Sequence, residues 1–328
     1  MDNKPELAAS PMIASKKPTG LKLFFKRLVL QRTLVFMSVP FLIWLFIFKY
    51  WPLWGWTSAF QKYRPNKSFS EQEWVGWDQF NMLFNDPRFS ERFIRAIRNT
   101  FAMGVINLIL GFVTAIVLAL LLNELKNMFF KRFVQTITYM PHFISWVVAA
   151  GIIQTTLATD GIVNELLKWF GAITPGNEIL FLGKANWFWG IFGAGTVWKD
   201  IGWNTIVYLA AMTSIDPAQY EAAEMDGAGR FKRMWHVTLP GIKGVVIVLL
   251  IMNIGWLLES GWEAQWLLGN GMNVDYSENI DIFVIKYGLQ QSNFSLAVAA
   301  GMFKTVVSVV LLFIANNVAK RAGEARLY

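Results

Sequence analysis

There is no cysteine anywhere in the 328 residues of this chain. That absence excludes disulfide scaffolds, thiolate metal sites and thiol nucleophiles, although it names no compartment. Charge is sparse too, with Asp, Glu, Lys and Arg making up 16% of the residues. Histidine occurs twice. His142 follows Pro141, and His236 lies in a polar stretch. No carboxylate or second histidine stands at ligand spacing from either in the sequence, whereas a metal site needs three or four ligands. The G-x-x-x-x-G-K-[ST] phosphate loop, H-E-x-x-H and G-x-S-x-G are all missing. The expectation is a chain that is not an enzyme, with no catalytic residue, no metal and no cofactor of its own.

What the chain has in excess is apolar surface. It is 55% hydrophobic, with a mean hydropathy of +0.39, beyond the usual range of soluble domains. A helix needs roughly 20 apolar residues to cross the hydrocarbon of a bilayer. Six stretches qualify, at about 34–56, 100–122, 134–157, 187–212, 242–262 and 296–319. The fold class expected is an all-α membrane protein with about six transmembrane helices. A basic tail (1–33) precedes a transmembrane domain (34–319), and a short tail (320–328) follows it. The first thirty residues are polar and basic, and no small-residue cleavage site follows the first apolar run, so that run is expected to be a retained span. A net charge of +8 suits an anionic membrane surface. The apolar runs are too long for a nucleic-acid-binding domain, so nucleic acid is not expected as a partner.

Lys and Arg near the span ends set the orientation. Both tails are basic, as are the connection with Lys126, Lys131 and Arg132 and the one with Arg230, Lys232, Arg233 and Lys243. These four segments fall on one side, which is therefore the cytoplasmic side of a multi-pass protein of the cell membrane. The loop after span one argues the other way, with Lys62, Arg64, Lys67, Arg88, Arg92, Arg95 and Arg98. The helical spacing of Arg88, Arg92 and Arg95 suggests an amphipathic helix on the outer surface, with Phe89 and Phe93 toward lipid or protein. There are 16 Trp. Trp44, Trp51, Trp54, Trp56, Trp187, Trp189, Trp262 and Trp266 lie near span ends. They suit an interfacial belt, or platforms for the apolar face of a sugar ring.

The most unusual stretch joins spans four and five, at 213–241. It is polar, yet punctuated like a folded unit. Asp216-Pro217 reads as an N-cap followed by proline at the first helical position. Gln219 to Met225 are helix formers, and Gly227 and Gly229 stop the helix. A second helix over about 230–236 follows, and Leu239-Pro240 is expected to break the chain before span five. On physical grounds such a capped, exposed element is either a docking surface or a plain structured connector.

Glu221-Ala222-Ala223, three residues, Gly227, nine residues, Val237, one residue and Leu239-Pro240 resemble the signature of permease subunits of bacterial ABC importers. Ile215-Asp216-Pro217 and Asp226-Gly227-Ala228 resemble the carbohydrate-type (MalF/MalG-like) branch. Phe36-Met37-Ser38-Val39-Pro40, Tyr50-Trp51-Pro52, Gly55 and Ala59-Phe60 are similar to span one of permeases for oligosaccharides and polysaccharide fragments. Trp74-Val75-Gly76 with Asn99-Thr100, Trp198 with Gly202-Trp203-Asn204, and Gly288-Leu289 with Phe294-Ser295 fit as well. Within the branch the chain resembles the LplB/YteP-like permeases, associated with pectin-derived or similar complex saccharides.

The resemblance implies a type I ABC importer permease fold. It implies a coupling helix seated in a cleft of a separate ATPase subunit, which carries the ATP and Mg. It also implies a second homologous permease subunit and an extracytoplasmic solute-binding protein as partners. Glu221, Ala222, Ala223, Asp226, Gly227, Leu239 and Pro240 would then form the ATPase-coupling site. Small alanines let a helix enter a cleft, and glycine allows a sharp turn and close backbone approach. The ordinary reading of Glu221 is a solvated charge in the first helical turn.

Polar residues inside spans cost about 2.5–3.5 kcal/mol if they face lipid, so they mark a cavity or helix contacts. Asn253, Trp256, Ser260 and Glu263 recur at helical spacing, with Glu259 beside them. They are candidates for a substrate pathway, or for interhelical packing with the two glutamates at a wet outer end. Lys199, Asp200 and Lys304 carry the same two readings. The competing class is a secondary, ion-coupled carrier, which would show mid-span coupling carboxylates and an inverted repeat; neither stands out in the sequence.

Overall fold

The computed structural model describes residue 20, residues 28–259 and residues 261–321. Most of both expected tails, and the candidate Ser260, lie outside the described residues. The described residues fall into two compact units, one within 1–56 and one within 57–328. The first helix, α1 (Arg32–Phe60), runs past the end of the first unit. It contains Pro40, tolerable in a membrane helix because neighbouring groups re-satisfy the freed carbonyl.

In the second unit, β1 (Gln61–Lys62) pairs antiparallel with β2 (Glu73–Trp74). The Gln72 amide closes the loop between them by hydrogen bonds to the backbone of Arg64 and Lys67. Next come α2 (Asp78–Asn85) and α3 (Ser90–Asn123), a helix of 34 residues and therefore about 50 Å long. The arginine-rich segment is not a separate surface helix. Arg92 and Arg95 sit on the first turns of α3, and Arg88 precedes it, paired with Asp86 at 2.6 Å. Phe93 on the same turns is fully buried against Phe84, Phe283 and Phe303. These aromatic contacts outweigh a surface placement.

The chain continues through α4 (Met128–Phe143) and α5 (Trp146–Thr156), which meet at 106°. Then follow α6 (Ile162–Trp169), α7 (Phe188–Met212) and α8 (Pro217–Met225). α9 (Arg230–Gly241) and α10 (Lys243–Gly255) meet at 65°. Three short helices, α11 (Glu263–Leu268), α12 (Val274–Ser277) and α13 (Ile280–Val284), lead to the last long one, α14 (Phe294–Arg321). By length and composition α1, α3 and α14 can each cross a membrane, and the two bent pairs can if each pair is one span. α7 has 25 residues, about 37 Å, with Lys199 and Asp200 near its middle.

Two stretches expected to be single helices are therefore broken. At 134–157 the backbone is extended at Ile144, and Ser145 caps the new helix by accepting from the Val148 N–H. At 242–262 the helix stops at Gly255, and Gly261 lies at φ +74°. The expected break at Leu239-Pro240 is displaced in the opposite sense. Both residues stay inside α9, whose turns widen over Met234–Thr238, and the bend falls after Gly241.

Three buried clusters stack along the second unit. One joins Leu83, Phe93, Phe283, Tyr287 and Leu296. A second joins Met103, Ala150, Phe188, Phe192 and Leu268. The third joins Ala115, Ala119, Tyr208, Met212, Ile215 and Ile242. Small residues bring the backbones together, as in membrane helix packing generally. A Cβ on Gly104 would stand 2.0 Å from the Leu257 carbonyl oxygen, and one on Gly202 would stand 2.2 Å from that of Thr138.

Candidate functional site

The α8 helix is held at both ends by its own sequence. The Asp216 carboxylate accepts from the Ala218 N–H at 2.9 Å, and Pro217 occupies the first turn, where its missing donor costs nothing. At the other end Gly227 adopts φ +73°. The Ala228 N–H then reaches the Ala223 carbonyl at 2.9 Å, and the Gly227 N–H reaches that of Glu224 at 3.0 Å. This double closure is a Schellman motif. Among the described residues, nothing beyond its own chain neighbours lies within 4 Å of a Cβ placed on Gly227. The glycine is needed for its backbone angle, and its open side faces away from the rest of the chain.

The inner side of α8 is tied down. The Tyr220 hydroxyl and Thr238 Oγ1 are 3.0 Å apart, with Thr238 fully buried. Arg233 pairs with Glu224 at 3.2 Å and reaches Glu124, next to the end of α3, at 3.9 Å. Ile215 packs into the third cluster, close enough to Gly241 that a Cβ there would stand 2.7 Å from it. The outer side is left open. Glu221, Ala222, Met225, Asp226 and Gly227 are exposed, and Ala223 is half-buried. Leu239 and Pro240 lie apart from this rim, Leu239 half-buried and Pro240 exposed on α9.

A polar cavity of about 210 Å³ lies between α3, α7 and the end of α10, lined by Asn107, Asp200, Asn204, Asn253, Trp256 and Glu259. A second, of about 140 Å³, shares Asn107, Asn204 and Asn253. Asn107 Oδ1 is buried with no hydrogen-bond partner among the described residues. Asn253 donates to the Leu249 carbonyl at 2.8 Å, and Trp256 is 71% exposed.

Of the candidate pathway residues, Asn253, Trp256 and Glu259 meet at this cavity. Glu263 does not, because the helical stripe that would have carried it ends at Gly255. It starts α11 and is exposed. Glu259 is held by Lys304 at 2.9 Å, and Lys304 also meets Asp281 at 2.7 Å.

Nothing in the sequence marks Asp200 and His142 as partners. His142 Nδ1 lies 2.8 Å from Asp200 Oδ1, and its ring stacks on Trp203 with centroids 4.5 Å apart. Lys199 Nζ donates to the His142 carbonyl at 2.8 Å. These contacts fasten the end of α4 to α7, across 58 residues of sequence. Asn107 and Thr196, which also line the first cavity, are single polar residues in apolar runs and carry no signal in the sequence.

The model of the family described as binding-protein-dependent transport system inner membrane component matches residues 108–324. Over 95% of both chains, this one is 43% identical to the polygalacturonan/rhamnogalacturonan transport system permease protein YteP of Bacillus subtilis (strain 168). Over the whole of both chains it is 39% identical to protein LplB of the same organism. The crystal structure of a bacterial ABC transporter involved in the import of the acidic polysaccharide alginate contains a chain that superposes with a TM-score of 0.81. The two are 37% identical, over 91% of this chain and 99% of that one. The chain belongs to the family of binding-protein-dependent transport system inner membrane components, and its fold is that of a type I ABC importer permease.

Proposed function

We propose that this chain is the permease subunit of an ATP-driven importer that moves an oligosaccharide or polysaccharide fragment across the cytoplasmic membrane. The observation that carries the reading is α8: a helix capped at both ends and anchored on its inner side, which offers Glu221, Ala222 and Asp226 to a partner at one end of the bundle. The chain lacks a phosphate loop, so ATP and Mg belong to separate ATPase subunits. One chain supplies one such helix, and two ATPase sites call for a second, homologous permease. A solute-binding protein delivers the sugar from outside. The carbohydrate class is supported by the polygalacturonan/rhamnogalacturonan and alginate systems among the similar proteins. A cavity rich in amides and carboxylates, with an exposed indole at its edge, suits sugar hydroxyls and the apolar face of a pyranose.

The test is purification of the complex from its host in mild detergent. A P-loop ATPase and a second permease are expected to accompany the chain. Deletion of residues 216–229 should release the ATPase while the chain stays in the membrane. Saccharide uptake by a preparation free of any ATPase would replace this reading with the ion-coupled carrier.

A further inference from the structure

The end of the second unit farthest from α8 holds a cationic pocket that the coupling reading does not use. Arg92 and Arg95 project from the first turns of α3, 27 residues or about 40 Å of helix from Ala119 in the third cluster. Together with Lys286 and Glu278 they line a cavity of about 170 Å³. A second cavity, of about 370 Å³, shares Glu278 and Lys286 and is bordered by Trp266. Its volume lies in the range of small-molecule sites, roughly 300–1,000 Å³.

The charges in the pocket are unevenly matched. Arg95 is paired with Asp275, and Lys286 with Glu278 Oε2 at 2.6 Å. Arg92 donates to the Tyr287 hydroxyl at 3.0 Å and makes no ion pair among the described residues. The other oxygen of Glu278, Oε1, is buried with no hydrogen-bond partner among the described residues. An unpaired guanidinium beside a vacant acceptor matches a ligand with a carboxylate next to a hydroxyl. A guanidinium fork fits a carboxylate in bidentate fashion, and a sugar hydroxyl would satisfy Glu278 Oε1.

We propose that this pocket is the entry site for an acidic saccharide, binding one uronate residue through Arg92 and Glu278, with Trp266 against a neighbouring ring. The inference rests on the importer reading, which places this end of the molecule on the extracytoplasmic side. A concave site with an unsatisfied acceptor favours a sugar acid over the acidic surface of a docking protein, because a flat protein surface would leave Glu278 Oε1 unsatisfied.

The test uses the purified permease–ATPase complex in lipid nanodiscs without its solute-binding protein, titrated calorimetrically with trigalacturonate and with its neutral methyl ester. The acid is expected to bind at least tenfold tighter than the ester. Arg92→Gln should abolish that preference, and Arg92→Lys should retain part of it. Equal binding of acid and ester by the wild type, or an unchanged preference in Arg92→Gln, overturns the pocket. So does Arg92→Gln weakening the docking of sugar-free binding protein while the acid preference stays intact. ATP hydrolysis stimulated by sugar-loaded binding protein, measured on the same preparation, separates the two levels. If hydrolysis is stimulated without any acid preference, the pocket alone falls. A chain that recruits no ATPase overturns the importer reading and the pocket with it.

Discussion

At Gly227 the end of a helix rests on one backbone angle. At φ +73° an L-residue is strained by roughly 1–2 kcal/mol, and no neighbour among the described residues would add a clash. Substitution therefore acts on the turn that ends α8 and on whatever packs against its open side. Gly227→Val is expected to leave the chain in the membrane and ATP hydrolysis running, but to lower saccharide uptake at least tenfold. Gly227→Asn should keep more activity, since asparagine visits this conformation most readily among the other residues. Parallel assays of uptake and hydrolysis in proteoliposomes check both, and normal transport by the valine variant would refute the role of this turn. The signature spacing made Gly227 legible in the sequence. Arg92, by contrast, is in the sequence only one of several basic residues on the unexpected side, because its hydrogen-bond partner Tyr287 is almost 200 positions away.

Helices were legible where local composition decides them, and their breaks were less so. Asp216-Pro217 and Gly227 announced both ends of α8 because caps are local chemistry. The bend at Ile144 was hidden because its cause is tertiary: the α4 terminus is fastened by Lys199 and Asp200 from α7. Likewise, the periodicity of Asn253, Trp256, Ser260 and Glu263 suggested one helix face, yet Gly255 ends that helix where it packs against Leu312. Pro240 read as a break but is absorbed by widened turns. The closeness of α4 and α7 is itself testable. A Cβ on Gly202 would sit 2.2 Å from the Thr138 carbonyl oxygen, a backbone atom that cannot rotate away. Gly202→Ala should cost about 1–3 kcal/mol, typical of overpacking, and lower the melting temperature of the purified chain. An unchanged melting temperature would mean that this crossing is looser than described.

For the molecule as a whole, the proposed function makes opposite demands on the two ends: one would meet an ATPase and the other a delivered sugar. The basic tails and connections favour a cytoplasmic α8 end, against the vote of the arginine-rich start of α3, and the proposed function takes that orientation. Most of these arginines have a structural use in the fold, whatever side they lie on. Arg88 is held by Asp86, Arg95 by Asp275, and Arg98 lies over the Trp189 and Tyr276 rings. Because the chain has no cysteine, single introduced cysteines report sidedness without background. Asn177→Cys, in the exposed loop between α6 and α7, should react with a membrane-impermeant maleimide in intact cells. Ala222→Cys, on the open face of α8, should react only after permeabilisation, and more slowly when the ATPase is bound. The reverse pattern would invert the molecule in the membrane and remove the entry pocket from the side where sugar arrives. Equal reactivity of Ala222→Cys with and without the ATPase would leave the orientation standing and move the docking surface elsewhere.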